Sequence, residues 1–100
     1  MFTVDETTYT LKFNAKKLKT IEMVAKTSII AQIAKNDGIL QYQTLETIFS
    51  LALVEENSNE VVKQGAAAKM FEKLVENEGL MTVNGAIVEK LQDDMGFMFR

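Results

Sequence analysis

The chain contains neither cysteine nor histidine, and its candidate side chains for chemistry are paired carboxylates and serine hydroxyls. It therefore lacks the thiolate nucleophile, the usual general base and the commonest metal ligand. The hydroxyl groups of Ser28, Ser50 and Ser58 have no histidine to activate them as nucleophiles. No glycine-rich phosphate loop is present either. The sequence predicts no enzyme activity and no cofactor.

Adjacent carboxylates occur twice, at Glu55-Glu56 and at Asp93-Asp94. Neighbouring residues of a helix point about 100° apart, so neither pair forms an acid–base dyad by itself. The sequence Asn36-Asp37-Gly38 is similar to part of a calcium-binding loop. If Gly38 takes its place in that loop, however, the first and last ligand positions fall on Ile33 and Thr44, which have no carboxylate. These features predict solvated charge and a turn, and no metal site.

The composition is that of one ordinary globular domain spanning residues 1–100. No apolar run approaches the ~18 residues of a membrane span, and no signal peptide opens the chain, so we expect a cytoplasmic protein. The net charge is −3, with 11 basic and 14 acidic side chains. An acidic chain repels a phosphate backbone, which argues against nucleic acid as the main partner.

The stretch from Thr44 to Gly79 predicts two amphipathic helices joined by a short polar turn. The apolar residues of the first helix recur at the spacing of one helical face: Leu45, Ile48, Phe49, Ala52 and Leu53. The second helix shows the same spacing: Val61, Gly65, Ala68, Phe71 and Val75. Asn57 and Glu60 form a capping-box pattern at its start, and Gly79 ends it. The rest of the chain must cover the apolar faces of this helical hairpin.

Residues 2–13 alternate with period two and predict a short β-hairpin. With Glu6-Thr7 as the turn, Val4 faces Tyr9 and Phe2 faces Leu11, so the apolar side chains share one face. A looser four-residue loop is the alternative. Because an isolated hairpin is marginal in water, it needs a helix beneath it or a second copy of the chain beside it.

Further helices are predicted on both sides of the central pair. Asn14 caps a helix with Leu18, Ile21 and Ala25 on one side, and Ser28 begins a shorter helix that Asn36-Asp37-Gly38 ends. Thr82 caps a last helix, which Gly96 ends and which buries one face: Val83, Ile87 and Leu91. The predicted fold is a mainly α domain of four to five helices round a central helical hairpin. Residues 1–13 form the β-hairpin and residues 14–100 the helical part.

Two features favour association over catalysis. Gly65-Ala66-Ala67-Ala68 removes side-chain bulk from one helical turn, so another helix, from this chain or from a partner, can approach closely. The tail of the chain carries adaptable methionine and aromatic side chains, which pack on the core or meet a partner. With the hairpin, these features define the candidate self-association or partner-binding residues: Phe2, Val4, Tyr9, Gly65, Ala68, Met95, Phe97 and Phe99.

Four segments occur in a characteristic order: TYTLKFNAKKLKTIE, then NDG before TLETIFSLALVEEN, then KLVENEG, and finally LQDDMGF. In these segments, and in the order of its predicted elements, the chain resembles the tail assembly chaperones of long-tailed bacteriophages (siphoviruses) that infect Gram-positive bacteria. The resemblance spans nearly the whole chain. It fixes no binding residue, because no motif of the family assigns one.

The resemblance implies a small, mainly helical, non-enzymatic protein of the host cell cytoplasm that is not part of the mature virion. Such proteins bind the long, apolar, helical tape measure protein before and during tail tube polymerisation. Several copies act together and keep it soluble. The family often also makes a longer form by translational frameshift, whose extra domain contacts the tail tube protein. The expected partners are a second copy of the chain, the tape measure protein and the tube protein, with no nucleic acid and no membrane.

Two other functions remain open from the sequence. The basic cluster Lys12, Lys16, Lys17 and Lys19 is the one feature that favours a small helical regulator, such as an antitoxin or a transcription accessory factor. The chain has a single arginine, at its last position, so no recognition helix carries several of them. A structural tail component is the other alternative.

Overall fold

The computed structural model describes residues 2–4 and 6–99, and for residues 98 and 99 it describes the backbone alone. The elements follow in this order: strands β1 (Phe2–Val4) and β2 (Thr7–Leu11), helices α1 (Ala15–Ala25), α2 (Ile29–Lys35) and α3 (Tyr42–Ala52), strand β3 (Leu53–Glu55), helices α4 (Gln64–Glu78) and α5 (Leu80–Met95), and a 3₁₀ turn (Gly96–Phe99). The predicted fold class, mainly helical with a short N-terminal antiparallel hairpin, is confirmed.

Helix α3 lies at the centre of the core, since it packs against α1, α4 and α5. Its apolar face follows the predicted helical spacing, and Leu45, Ile48 and Ala52 are fully buried. Burying a side chain of leucine or isoleucine size stabilises a fold by about 1.5–3 kcal/mol. The surrounding elements contribute the other large buried side chains: Leu18, Ile21, Ile29, Phe71, Ile87, Leu91 and Met95.

Strands β1 and β2 pair antiparallel, with Phe2 opposite Tyr9 and Val4 opposite Thr7. The predicted register, with Val4 opposite Tyr9 and Phe2 opposite Leu11, is therefore wrong by two residues. Thr7 belongs to β2 and not to the turn, and Glu6 takes a left-handed φ of 69°. A sequence without glycine at this position does not signal such a tight turn. Because the shift is an even number of residues, the apolar side chains keep the predicted face.

The predicted connection between the two central helices is also wrong. Residues 53–55 leave the helix and form β3, which pairs with β2 so that Leu53 lies opposite Leu11 and Val54 opposite Thr10. The part of the chain predicted as purely helical thus supplies the third strand of the sheet, whose order is β1-β2-β3. Pairing satisfies the backbone groups of β3 and gives the hairpin the neighbour it needs.

Helix α4 begins later than predicted. Its N-cap is Lys63, which makes no side-chain capping bond, so the capping box proposed for Asn57 and Glu60 is wrong. Val61, predicted on the apolar face of the helix, instead bridges to Val54 and is 65% exposed. Ser58 Oγ accepts from the backbone N–H of Glu60 at 3.3 Å, which stabilises a local turn in place of a helix start.

The caps of the first two helices are confirmed. The side chain of Asn14 accepts from the N–H of Lys17 at 2.8 Å, and that of Ser28 accepts from the N–H of Ala31 at 3.2 Å. The carboxylate of Glu22 also accepts from the N–H of Ile29 at 2.8 Å. The predicted turn after α2 is present, because Asp37 and Gly38 take φ values of 54° and 81°.

Helices α4 and α5 meet at Gly79, which ends α4 as predicted. Its φ of 88° and ψ of 147° lie in a region that glycine alone populates readily. Helix α5 starts at the next residue, so the cap predicted at Thr82 is wrong and Thr82 lies inside the helix. Gly96 has a right-handed helical backbone and is not the predicted left-handed stop, since the chain continues into the 3₁₀ turn.

Candidate interaction groove

A surface groove runs along α1 and α3 and ends at the start of α4. It consists of three neighbouring depressions of about 360, 270 and 230 Å³. Adjoining depressions share lining residues, so they form one continuous surface, which we name the α1–α3 groove. Its main residues are Lys16, Lys17, Thr20 and Val24 of α1, Thr47, Ser50 and Leu51 of α3, and Val61, Val62, Gln64 and Ala68.

The two long sides of the groove run in opposite directions. Lys16 and Leu51 line the depression at one end, whereas Ala25 and Thr44 line the depression at the other. From Lys16 to Ala25 the axis of α1 rises about 14 Å, at about 1.5 Å per residue. This length equals roughly two and a half turns of an α-helix.

The rim of the groove carries apolar side chains that the fold leaves in water. Val24 is 54% exposed and Val61 is 65% exposed. Leu51, Val62 and Ala68 are half-buried. Clustered apolar surface beside polar residues is typical of sites that bind another protein.

Ser50 is the polar residue of the groove floor. Its side chain is almost fully buried, with 7% exposure, and it lines two of the three depressions. Among the described residues, its hydroxyl oxygen has no hydrogen-bond partner. A buried hydroxyl left without a partner destabilises a fold by about 1–3 kcal/mol.

The charged residues of the groove are unevenly placed. Lys16 and Lys17 line one end, and Glu46 lines the middle depression. Tyr42, one helical turn before Glu46, is 40% exposed and packs edge-on against Phe71 with ring centres 5.1 Å apart. Partial burial and the charges of Glu46, Glu72 and Glu76 raise the pKa of Tyr42 above its ordinary value. The groove is therefore basic at one end, carries one carboxylate in its middle depression, and has an uncharged lining at the other end.

The small residues predicted to allow close helix approach are divided between core and surface. Ala67 is fully buried against the core. Gly65 and Ala66 are exposed, and a methyl group built on Gly65 meets no atom within 4 Å. Ala68 lines the groove. The chain itself thus makes close contact at Ala67, and Ala68 is the small residue of this turn that lines the groove.

The predicted hairpin residues serve mainly the fold. The ring of Phe2 lies 5.8 Å from that of Tyr9 and 5.8 Å from that of Phe49, measured between centres. Phe49 in turn lies 5.5 Å from Phe71, so a chain of aromatic contacts joins the sheet to α4. Val4, at the free edge of the sheet, is 37% exposed. A separate depression of about 280 Å³ lies between Phe2 and α5.

The predicted residues of the tail have different environments. Met95 is 1% exposed and belongs to the core, so at this residue the tail packs on its own chain, the first of the two predicted alternatives. Phe97 is 56% exposed. The side chain of Phe99 lies outside the described residues. Neither Met95 nor Phe97 lines the α1–α3 groove, so the structure separates them from Ala68.

Of the two adjacent carboxylate pairs, Asp94 has a structural role. Asp94 Oδ2 accepts from the N–H of Phe13 at 3.0 Å, and its Oδ1 lies 2.8 Å from Lys90 Nζ. Glu55 belongs to β3. Among residues 2–4 and 6–99, no group of three or more acidic side chains could hold a metal ion.

Sequence reasoning missed Thr20, Thr47, Ser50 and Leu51 as parts of a site. The one signal was a serine inside an otherwise apolar run, between Phe49 and Leu51. A polar residue at a buried helical position needs a hydrogen-bond partner, but the sequence does not show whether the fold supplies one.

In the part of the chain that the structure describes, no helix has the length and apolar character needed to cross a membrane. Comparison of the chain with protein-family models, with curated proteins and with solved structures found no match.

Proposed function

We propose that this chain is a non-enzymatic bacteriophage tail assembly chaperone, which oligomerises and binds helices of the tape measure protein in the α1–α3 groove. The bound helices are thereby kept from aggregating while the tail tube assembles. The chain acts in the host cell cytoplasm and is absent from the mature virion. The resemblance of its sequence to this family and the chemistry of the groove support the proposal.

The observation that carries the proposal is the open apolar groove between helices. A chaperone of this type needs exposed apolar surface together with enough net charge to stay soluble. Val24 and Val61 supply such surface at the groove, and the chain carries a net charge of −3. Helix-in-groove binding is a common way in which a folded domain receives an apolar helix.

Co-expression tests the proposal. The partner is a tape measure protein expressed from a second plasmid, and the measured quantity is the fraction of that protein in the soluble extract. Val24→Glu with Val61→Glu places charge in the groove at two exposed positions, so the fold is spared. We expect this double variant to lose most of the solubilising effect.

A matched control separates the groove from general surface hydrophobicity. Met23 is 70% exposed and Met81 is 61% exposed, and neither lines the groove. Met23→Glu with Met81→Glu should solubilise the partner as well as the unchanged chain does. The proposal fails if the partner is equally soluble with and without this protein.

Self-association is a separate part of the proposal. Strand β1 is an edge strand, and its exposed Val4 lies where a second copy could extend the sheet. Light scattering over a range of concentrations measures the mass of the particle. We expect an oligomer that Val4→Lys weakens, and a strict monomer at high concentration contradicts this part.

The alternative functions have their own measurements. A regulator that binds DNA through the lysine cluster should give a gel shift that weakens steeply with salt. One lysine of that cluster already has a hydrogen-bond partner within the chain, because Lys12 Nζ donates to Asn59 Oδ1. Detection of the chain in purified virions by mass spectrometry favours a structural tail component over a chaperone.

A further inference from the structure

The α1–α3 groove has two polar features that a purely apolar ligand would leave unused, namely the hydroxyl of Ser50 and the lysine pair at one end. We infer that the groove takes an amphipathic helix with acidic side chains at the end near Lys16 and Lys17. The same helix carries a polar side chain in its apolar face, opposite Ser50. This inference rests on the proposed function, because it specifies the chemistry of the partner at the same site.

The surroundings of the groove favour a helix over an extended strand. Its two long sides are helices, whose backbone groups are already hydrogen-bonded internally. At the α4 end, Val61 is bridged to Val54, and the N–H of Val62 donates to the carbonyl of Leu53 at 3.3 Å. The groove therefore lacks the free sheet edge that an extended peptide needs, whereas its length accommodates about two and a half turns of helix.

Ser50 is the reason for expecting a polar side chain in the apolar face of the bound helix. Alanine in its place would favour the helix and would leave no hydroxyl without a partner. A hydroxyl both donates and accepts, so an asparagine, glutamine or serine of the bound helix can satisfy it. The oxygen is itself buried in the structure, so the side chain must rotate about χ1 to another staggered position before a bound helix can reach it.

The charged residues of the groove predict which end of the bound helix carries the acidic side chains. Lys16 and Lys17 attract carboxylates at one end, and Glu46 repels them in the middle depression. Exposed ion pairs contribute about 0.2–1 kcal/mol each, so two of them change affinity by roughly twofold to thirtyfold. Because salt screens such pairs over about 8–10 Å, the preference should weaken at high ionic strength.

Synthetic helical peptides test the charge requirement. Two 18-residue peptides share an alanine and leucine face and differ in carrying either a glutamate pair or a lysine pair at one end. Calorimetry should show the glutamate peptide binding at least about twofold more tightly. Lys16→Glu with Lys17→Glu should reverse the preference. Lys69→Glu with Lys73→Glu makes the same charge change outside the groove and should leave the order unchanged.

A second peptide pair tests Ser50. One peptide has glutamine and the other alanine at the centre of its apolar face. The unchanged chain should prefer the glutamine peptide by about threefold to tenfold, which is the range of one net hydrogen bond. Ser50→Ala should remove that preference without weakening the alanine peptide.

The outcomes separate this inference from the proposed function. Binding of all peptides with no preference for charge or for glutamine overturns the inference and leaves helix binding intact. If no peptide binds but the partner is still solubilised in co-expression, the inference is overturned, and the chaperone site lies on another surface of the chain. Binding to vesicles of phosphatidylserine in place of the peptides, abolished by Lys16→Glu with Lys17→Glu, also overturns it and assigns the lysine end to a membrane surface.

Discussion

The side-chain oxygen of Asn84 accepts a hydrogen bond from the backbone N–H of Leu40 at 2.9 Å. The amide nitrogen of the same side chain donates to the carbonyl of Gly38 at 2.7 Å. Asn84 is 5% exposed and lies in the first half of α5. One side chain therefore fixes the loop that leads from α2 into the central helix α3.

Replacing Asn84 should destabilise the fold because it leaves both backbone groups without their partner. A buried polar group left without a hydrogen-bond partner lowers the stability of the fold by about 1–3 kcal/mol. We expect Asn84→Ala to lower the free energy of unfolding by about 2 kcal/mol, measured by urea denaturation followed by circular dichroism. Gln92→Ala, an exposed change on the same helix, is the control and should alter it by less than about 0.5 kcal/mol. Equal effects of the two changes would show that the Asn84 bonds contribute little.

Asp94 links the end of α5 to the residue before the N-cap of α1, through the N–H of Phe13. Its ion pair with Lys90 spans one helical turn and is partly exposed, so the pair contributes about 0.2–0.5 kcal/mol. A hydrogen bond from a partly buried backbone N–H to a carboxylate contributes about 1.5–3 kcal/mol. Asp94→Ala should therefore lower stability by about 2 kcal/mol, whereas Lys90→Ala should lower it by about 0.5 kcal/mol at most. Comparable losses would indicate that the ion pair dominates.

Local sequence signals predicted the helices well where a few neighbouring residues decide the structure. Asn14 and Ser28 cap their helices, and the turn at Asp37-Gly38 is present, because each depends on bonds within three or four residues. The buried face of α3 follows from periodicity alone. These features would be read correctly in any chain with the same local pattern.

Strand β3 could not be predicted in the same way. Leu53 and Val54 continue the apolar pattern of α3, and three residues are too few to show an alternation of period two. Their extended conformation comes from pairing with β2, about forty residues earlier in the chain. The groove was missed for a related reason, since it needs α1, α3 and the chain around Val61 to come together. The absence of a partner for Ser50 is likewise a property of the fold.

The backbone at Gly79 makes a prediction about the junction of α4 and α5. Its φ of 88° is strained for any residue with a side chain, although a methyl group there would meet no atom within 4 Å. Gly79→Ala should therefore lower stability by about 1–3 kcal/mol. Gly85→Ala is the matched change, because Gly85 lies inside α5 with equally open space and an ordinary φ. It should raise stability by about 0.5–1 kcal/mol, so thermal unfolding should move in opposite directions for the two variants.

Tyr42 should ionise above its ordinary pKa of 10.0, chiefly through burial and further through the charges of Glu46, Glu72 and Glu76. A pKa that is higher in the folded chain stabilises the fold below pH 10, and this contribution is lost as pH rises through the folded pKa. Tyr42→Phe keeps the ring against Phe71 and should reduce the alkaline loss of stability. Ultraviolet titration of the tyrosines follows the ionisation directly. Glu72→Gln with Glu76→Gln should lower the pKa of Tyr42 only in part. A complete return to its ordinary value would mean that burial does not contribute to the shift.

Ser50 makes the most specific prediction about the groove in the absence of a partner. Removing its hydroxyl relieves a buried group that has no hydrogen-bond partner in the described chain, and alanine also favours a helix more than serine does. Ser50→Ala should therefore raise the free energy of unfolding by about 1 kcal/mol. Thr47→Ala is the control, because the hydroxyl of Thr47 donates to the carbonyl of Gln43 at 3.0 Å and so loses a bond when removed. Chemical denaturation of both variants measures the difference. A loss of stability in Ser50→Ala would show that the hydroxyl has a hydrogen-bond partner within the chain. The partner helix would then need no polar side chain opposite Ser50.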